Sequence, residues 1–156
     1  MMTDTDSLDR IFQVIMRRLV ETGQAPHYTE LARGLGREVE EGRRLLHAVI
    51  EAFVPSWLFP DTDYIASFPP FNNLPTQHRI SVDGQQRWFA QCGFESLAVT
   101  WLFAGRVVRI EAPCLDCGDP IRLEMQDGRL LRVEPAETVG HLNHPWTVAK
   151  AQLPFI

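Results

Sequence analysis

The chain has 156 residues, 45% of them hydrophobic and 22% charged, which is enough apolar material for one cored domain or two small ones and excludes general disorder. Fifteen Lys and Arg against 20 Asp and Glu leave a formal net charge of −5, so no global basic field draws in nucleic acid or an anionic membrane surface. No run approaches the roughly eighteen apolar residues of a membrane span, and the acidic opening Met1-Met2-Thr3-Asp4-Thr5-Asp6 lacks the basic-then-greasy order of a secretory signal, so the expected location is cytoplasmic.

Leu8, Ile11, Phe12, Ile15, Met16 and Leu19 recur at helical spacing, with Asp6 or Ser7 as N-cap and Gly23 as the stop. A short helix is predicted from Tyr28 to Leu35, closed by Gly36. A third begins near Glu38, carries Val39, Leu45, Leu46, Val49, Ile50 and Phe53 on one face, and ends before Pro55. This order is that of a helix-turn-helix, and the extended stretch Tyr64–Phe68 is a candidate wing, so residues 1–56 read as a winged-helix-like trihelical unit. Arg37, Arg43 and Arg44 would then be phosphate contacts. However, residues 1–56 hold seven Arg against nine acidic residues, with Glu38, Glu40 and Glu41 where phosphates would approach, so a packing scaffold is the preferred reading and DNA a disfavoured partner.

Residues 57–75 contain Pro60, Pro69, Pro70 and Pro75 and read as an irregular connection. In the third unit, residues 76–156, His78–Val82 and Gln86–Ala90 flank Asp83-Gly84, a two-residue hairpin signal. Gly93–Ala104 carries Phe94, Leu97, Ala98, Trp101 and Leu102 at helical spacing, which predicts a buried helix closed by Gly105. Arg106–Glu111, Ile121–Met125 and Leu130–Val133 read as strands, the last two joined at Asp127-Gly128. The expected class is α+β, with a small mixed sheet and one buried helix following the helical unit.

Three cysteines in a reducing compartment point to thiol or metal chemistry rather than to disulfides. Cys92 lies where a strand gives way to a helix, a place where free N–H groups and the helix dipole favour thiolate, and Glu95 follows one turn along. The pair reads either as a nucleophile or metal ligand with a proton donor, or as a small buried hydrophobe followed by a capping carboxylate. Cys114-Leu115-Asp116-Cys117-Gly118 is a Cys-x-x-Cys knuckle, spaced to chelate one thiophilic ion. A four-ligand zinc site would need Cys92 and a histidine such as His141 or His144 brought near; the other reading is two ordinary turn cysteines. His27, His47 and His78 stand singly and read as surface or capping residues. No phosphate loop, nucleophile elbow or His-Glu-x-x-His helix is present, which removes the common nucleotide, esterase and protease readings.

Trp88-Phe89-Ala90-Gln91-Cys92-Gly93-Phe94-Glu95, then Phe103-Ala104-Gly105-Arg106, the Cys114-x-x-Cys117-Gly118-x-Pro120 turn and Val133-Glu134-Pro135 together resemble the organomercurial (alkylmercury) lyases. The likeness is most specific over Gln86–Pro135 and weaker through the helical part, where those enzymes also place a winged-helix-like unit. In that family a cysteine at the position of Cys92 takes the mercury of R–Hg⁺ and an aspartate three residues on delivers the proton that releases R–H. The resemblance therefore implies Cys92 as primary thiolate, Glu95 in the aspartate's role, a small thiophilic substrate, low-molecular-weight thiols as partners and no required cofactor. The family's turn cysteine matches Cys114 and is regarded as structural, while Cys117 stands where the lyases commonly have another residue. Two departures are visible. The family's second reactive cysteine follows the Val-Glu-Pro strand, whereas this sequence has no cysteine after Cys117, and Glu95 is one methylene longer than aspartate. The alternatives are a binding module in which Cys92, Cys114 and Cys117 hold zinc or mercury without turnover, and a winged-helix regulator that senses metal. The sequence does not fix the oligomeric state.

Overall fold

The computed structural model describes residues 4–53 and 55–141. Its first three helices are α1 (Asp4–Thr22), α2 (Tyr28–Leu35) and α3 (Val39–Ala52). Ile11, Ile15 and Leu19 succeed one another at one-turn spacing and form the buried stripe of α1, each at most 1% exposed. Gly23, at φ 74°, stops the helix, its N–H donating to Leu19 O at 2.8 Å. His27 caps α2: its ring Nδ1 accepts from the Thr29 N–H, and Glu30 reaches back to the His27 N–H. Gly36 ends α2 in the left-handed region. Gly42 lets α3 close on α2, because a Cβ there would lie 2.6 Å from Ala32 Cβ.

Arg37, Arg43 and Arg44 each sit within 4.0 Å of a carboxylate, from Glu41, Asp63 and Glu41 respectively. The charges that only the disfavoured DNA-binding reading would turn toward phosphates thus have carboxylate partners within the chain.

The strands are β1 (Trp57–Leu58), β2 (Ile65–Phe68), β3 (Phe71–Asn72), β4 (Arg79–Val82), β5 (Gln85–Ala90), β6 (Val108–Pro113), β7 (Pro120–Gln126) and β8 (Arg129–Glu134). They form one sheet in the order β1-β2-β3-β5-β4-β6-β7-β8. Every pairing is antiparallel, where a mixed sheet is expected, because hairpins and short returns make the connections and no helix crosses over between neighbouring strands. Residues 57–75, read from sequence as an irregular connection, supply β1, β2 and β3. The prolines sit at the turns between these short strands, and the candidate wing is strand β2 of the main sheet. Asp83-Gly84 and Asp127-Gly128 take positive φ at both positions and close the predicted hairpins.

Helix α4 (Gly93–Ala98) continues into a 3-10 turn at Val99–Leu102. It is only half the buried helix expected: Val99 and Thr100 are fully buried, but Trp101 is 71% and Phe94 47% exposed. One apolar core joins helices and sheet, and the Trp88 indole N–H, donating to Leu19 O at 2.9 Å, pins β5 to the end of α1. Among the described residues no helix is long and apolar enough to cross a membrane.

The registers place several loops at one end of the sheet. Phe71 faces Ala90, Arg79 lies between Phe89 and Glu111, and Pro113 faces Pro120. Cys92 after β5, His78 before β4, the Cys114–Cys117 turn after β6 and the residues after β8 therefore share that end. Only β4 separates β5 from β6, so the two cysteine-bearing strand ends lie about 10 Å apart across the sheet.

Candidate functional site

Beyond β5 the Gln91 N–H donates to Pro70 O at 3.2 Å, holding the chain extended into Cys92 (φ −149°, ψ 175°). Cys92 is the N-cap of α4. Its Sγ accepts the Glu95 N–H at 3.5 Å, and its carbonyl accepts the Ser96 N–H at 3.0 Å. The capping geometry and the helical turn bring the Glu95 side chain back toward the sulfur, so the predicted pair is assembled. Both residues are partly buried.

Burial decides the protonation of this pair. It pushes the Glu95 carboxyl up to about 7, against a lowering hydrogen bond with Cys92. It also pushes the Cys92 thiol up, ahead of the opposing N–H groups of Glu95 and Phe94. The helix start favours thiolate as expected, but desolvation is the larger effect, and the sulfur is not ionised by its position alone. Near neutral pH the thiol therefore keeps its proton while the Glu95 carboxyl is close to half ionised, able to take a proton or to give one.

Two neighbours carry no motif of their own. His78, expected at the surface or as a cap, is only 9% exposed; burial lowers its pKa and keeps the ring neutral. A Cβ on Gly93 would lie 3.7 Å from its Cε1, so the ring stands against the start of α4. Strand alternation is the signal that locates it, since His78 shares a face with Ile80 and Val82, both fully buried. Gln91 donates through Nε2 to Pro55 O at 3.1 Å. Glu95 Oε2, His78 Nδ1 and Gln91 Oε1 are buried polar atoms without a hydrogen-bond partner among the described residues, on a residue one turn after Cys92, on one that stands against Gly93, and on the residue that precedes Cys92. Buried polar atoms are normally satisfied, so such a concentration marks a place suited to a polar or metal-bearing guest.

The other two cysteines form a separate pair. Cys114 and Cys117 share a hydrogen bond, and the N–H groups of Cys117 and Asp116 hold the Cys114 thiol below its ordinary value. Cys117 gains from the Asp119 N–H, but the proton it shares with Cys114, together with burial and the Asp119 carboxylate, keeps its thiol raised. Among the described residues no three of His, Cys, Asp or Glu gather into a metal-holding group, so the expected common site of Cys92, Cys114 and Cys117 is not assembled. The sheet spacing is the reason, because the two turns crown different strands. His141 is exposed and His144 lies outside the described residues. His27 and His47 take the expected roles, one as a helix cap and the other in an exposed pair with Asp63 at 2.6 Å. An open groove of about 380 Å³ between Glu21, Gln85, Arg87, Phe103 and Arg106 lies at the opposite end of β5 from Cys92 and brings together none of these groups.

Residues 71–152, just over half of the chain, match the MerB alkylmercury lyase family. The chain belongs to the alkylmercury lyase family. It is 28% identical over 149 residues to an alkylmercury lyase of Staphylococcus epidermidis and 27% over 150 residues to one of Bacillus cereus, in each case across 96% of this chain and 65% of the relative. An alkylmercury lyase of Streptomyces lividans is 32% identical over 100 residues, covering 62% of this chain and 46% of that protein. The chain thus spans about two thirds of the length of the first two lyases. The crystal structure of the mercury-bound form of MerB2 superposes with a TM-score of 0.66 at 21% identity, covering 84% of this chain and 61% of that one, which establishes the shared fold.

Proposed function

We propose that this lyase-family chain cleaves carbon–mercury bonds by protonolysis, with Cys92 as the sulfur that takes mercury and Glu95 as the group that moves the proton. The observation that carries the reading is the meeting, at the start of α4, of a thiol and a carboxyl held up at about 7, with one carboxyl oxygen buried and unpartnered among the described residues.

The chemistry balances with one proton. When R–Hg⁺ meets the pair, a sulfur–mercury bond forms and the thiol proton passes to Glu95. Thiolate is a softer donor than any oxygen or nitrogen ligand and enriches the carbon bound to mercury in electron density. Glu95 then returns that proton to carbon. The carbon–mercury bond breaks, R–H leaves, and mercury stays on sulfur as Hg(II) with no change of oxidation state. A small thiol completes its two-coordinate shell and carries it away. A carboxyl with an ordinary pKa would be too weak a base to take the proton of a buried thiol; burial raises Glu95 to about 7 and narrows that gap.

The test is methane or benzene release from methyl- or phenylmercury in excess thiol. Release that disappears in Cys92→Ser supports the reading. Release no greater than that of the Cys92→Ser control rejects it.

A further inference from the structure

The Cys114–Cys117 turn is not used by the chemistry above, yet it is built to hold two sulfurs together. Gly118 N–H donates to Cys114 O at 2.9 Å and Cys114 N–H to Asp119 O at 2.7 Å, which makes residues 114–118 a single helical turn at the mouth of the β6–β7 hairpin. Residues three apart on such a turn lie on one face, which places Cys114 and Cys117 close enough for each thiol to perturb the other. Gly118, at φ 79°, closes the turn in the left-handed region. Pro113 and Pro120 face each other below it and terminate the ladder with fixed φ angles, so the turn stands on a stiff base. Cys117 is exposed and Cys114 partly so.

We propose that Cys114 and Cys117 form a second cation site, independent of Cys92, that clasps one soft two-coordinate ion such as Hg(II) between two thiolates. Two sulfurs without a third donor do not satisfy zinc, which takes four ligands in structural sites, and among the described residues no third His, Cys, Asp or Glu joins the pair to make such a group. An ion content with two sulfurs in line needs no more. With thiolate–metal bonds of about 2.3 Å, the sulfurs must stand roughly 4.6 Å apart, a spacing set by rotation about the two Cα–Cβ bonds. On binding, two sulfur–metal bonds form, the ion gives up two labile ligands, the thiol protons pass to water, and no electron changes hands.

The experiment loads the full chain with Hg(II) chloride, challenges it with excess small monothiol, removes unbound ion by gel filtration, and measures mercury and free thiols per chain. A chelating pair resists a competitor that strips a single thiolate. The expected result is one retained ion and two protected thiols in both the unaltered chain and Cys92→Ser, with at least tenfold less mercury in Cys117→Ser. Circular dichroism of each variant verifies the fold, and alkylation of the loaded unaltered chain, followed by peptide mapping, identifies the protected thiols without any substitution. Loss of the ion from Cys92→Ser, protection of Cys92 in place of Cys117, or tighter retention of Zn(II) than of Hg(II) overturns the proposal. No carbon–mercury bond takes part, so failure here is distinct from failure of the hydrocarbon-release assay.

Discussion

Two turns at one end of the sheet begin with a sulfur that caps backbone N–H groups, and each has its partner three residues on. At Cys92 the partner is the carboxyl of Glu95 and the setting is partly buried; at Cys114 the partner is the thiol of Cys117 and the setting is open. The same local hydrogen bonding therefore gives opposite electrostatics. Desolvation overrides the N–H groups at the first turn and raises both acids, whereas at the second the N–H groups prevail and lower the leading thiol. Sulfur at a turn start is not in itself an activated nucleophile. What it becomes is set by the water around it and by the group that shares its proton.

The largest effect expected from breaking this contrast is at Cys92. Cys92→Ser should reduce hydrocarbon release to the level of buffer containing thiol alone, read by gas chromatography of the headspace, because oxygen does not replace sulfur as a mercury ligand. Next comes Glu95→Gln, which keeps shape and removes the transferable proton. Single-turnover release should slow by roughly 10²–10⁴-fold while mercury uptake from R–Hg⁺ persists. In the unaltered chain the same rate should climb as pH rises through about 7, where Glu95 becomes the carboxylate that takes the thiol proton; a rate that falls over that interval would remove Glu95 from the proton relay.

The same variant sharpens the contrast through stability. Glu95 binds its proton more tightly folded than unfolded, so its contribution is whole below about 4.5 and fades as pH rises toward and past about 7. Glu95→Gln should therefore be more stable than the unaltered chain by about 2–3 kcal/mol at pH 8, the full shift being discounted for partial exposure, and nearly equal to it at pH 4. Urea melts at the two pH values measure the difference. The smallest effect is at the open turn. A Cβ on Gly118 meets nothing within 4 Å, so Gly118→Ala costs only the left-handed backbone, about 1 kcal/mol, and should appear as weaker retention of Hg(II) with almost no change in hydrocarbon release.

Much of this architecture is legible in the sequence where local rules act alone. Tyr28–Leu35 with Gly36, and the Asp83-Gly84 and Asp127-Gly128 hairpins, follow from capping and turn chemistry that involves no distant partner. Strands β1 and β3 escape because each is only two residues long and owes its existence to pairing with neighbours, with no periodic signal of its own, while β2 is visible as an extended stretch but not as part of this sheet. At the site, Cys92 and Glu95 are visible because the helix turn that joins them is local. His78 is not, since it reaches α4 from another strand, and the depth of burial that tunes Glu95 is a property of the assembled core. The separation of Cys92 from the Cys114 turn is likewise a matter of strand order, which no spacing along the chain reveals.

That strand order has a consequence for the fate of a released ion. With a single strand between the two cysteine-bearing ends, the bases of the two turns stand about 10 Å apart, close enough to give a thiol on one turn an effective concentration on the order of millimolar at the other. If the chemistry proposed for Cys92 and for the Cys114–Cys117 turn both hold, an Hg(II) ion stripped from the first sulfur would meet the pair at that local abundance before a dilute competitor in bulk, and recapture by the same molecule would become a race weighted by distance.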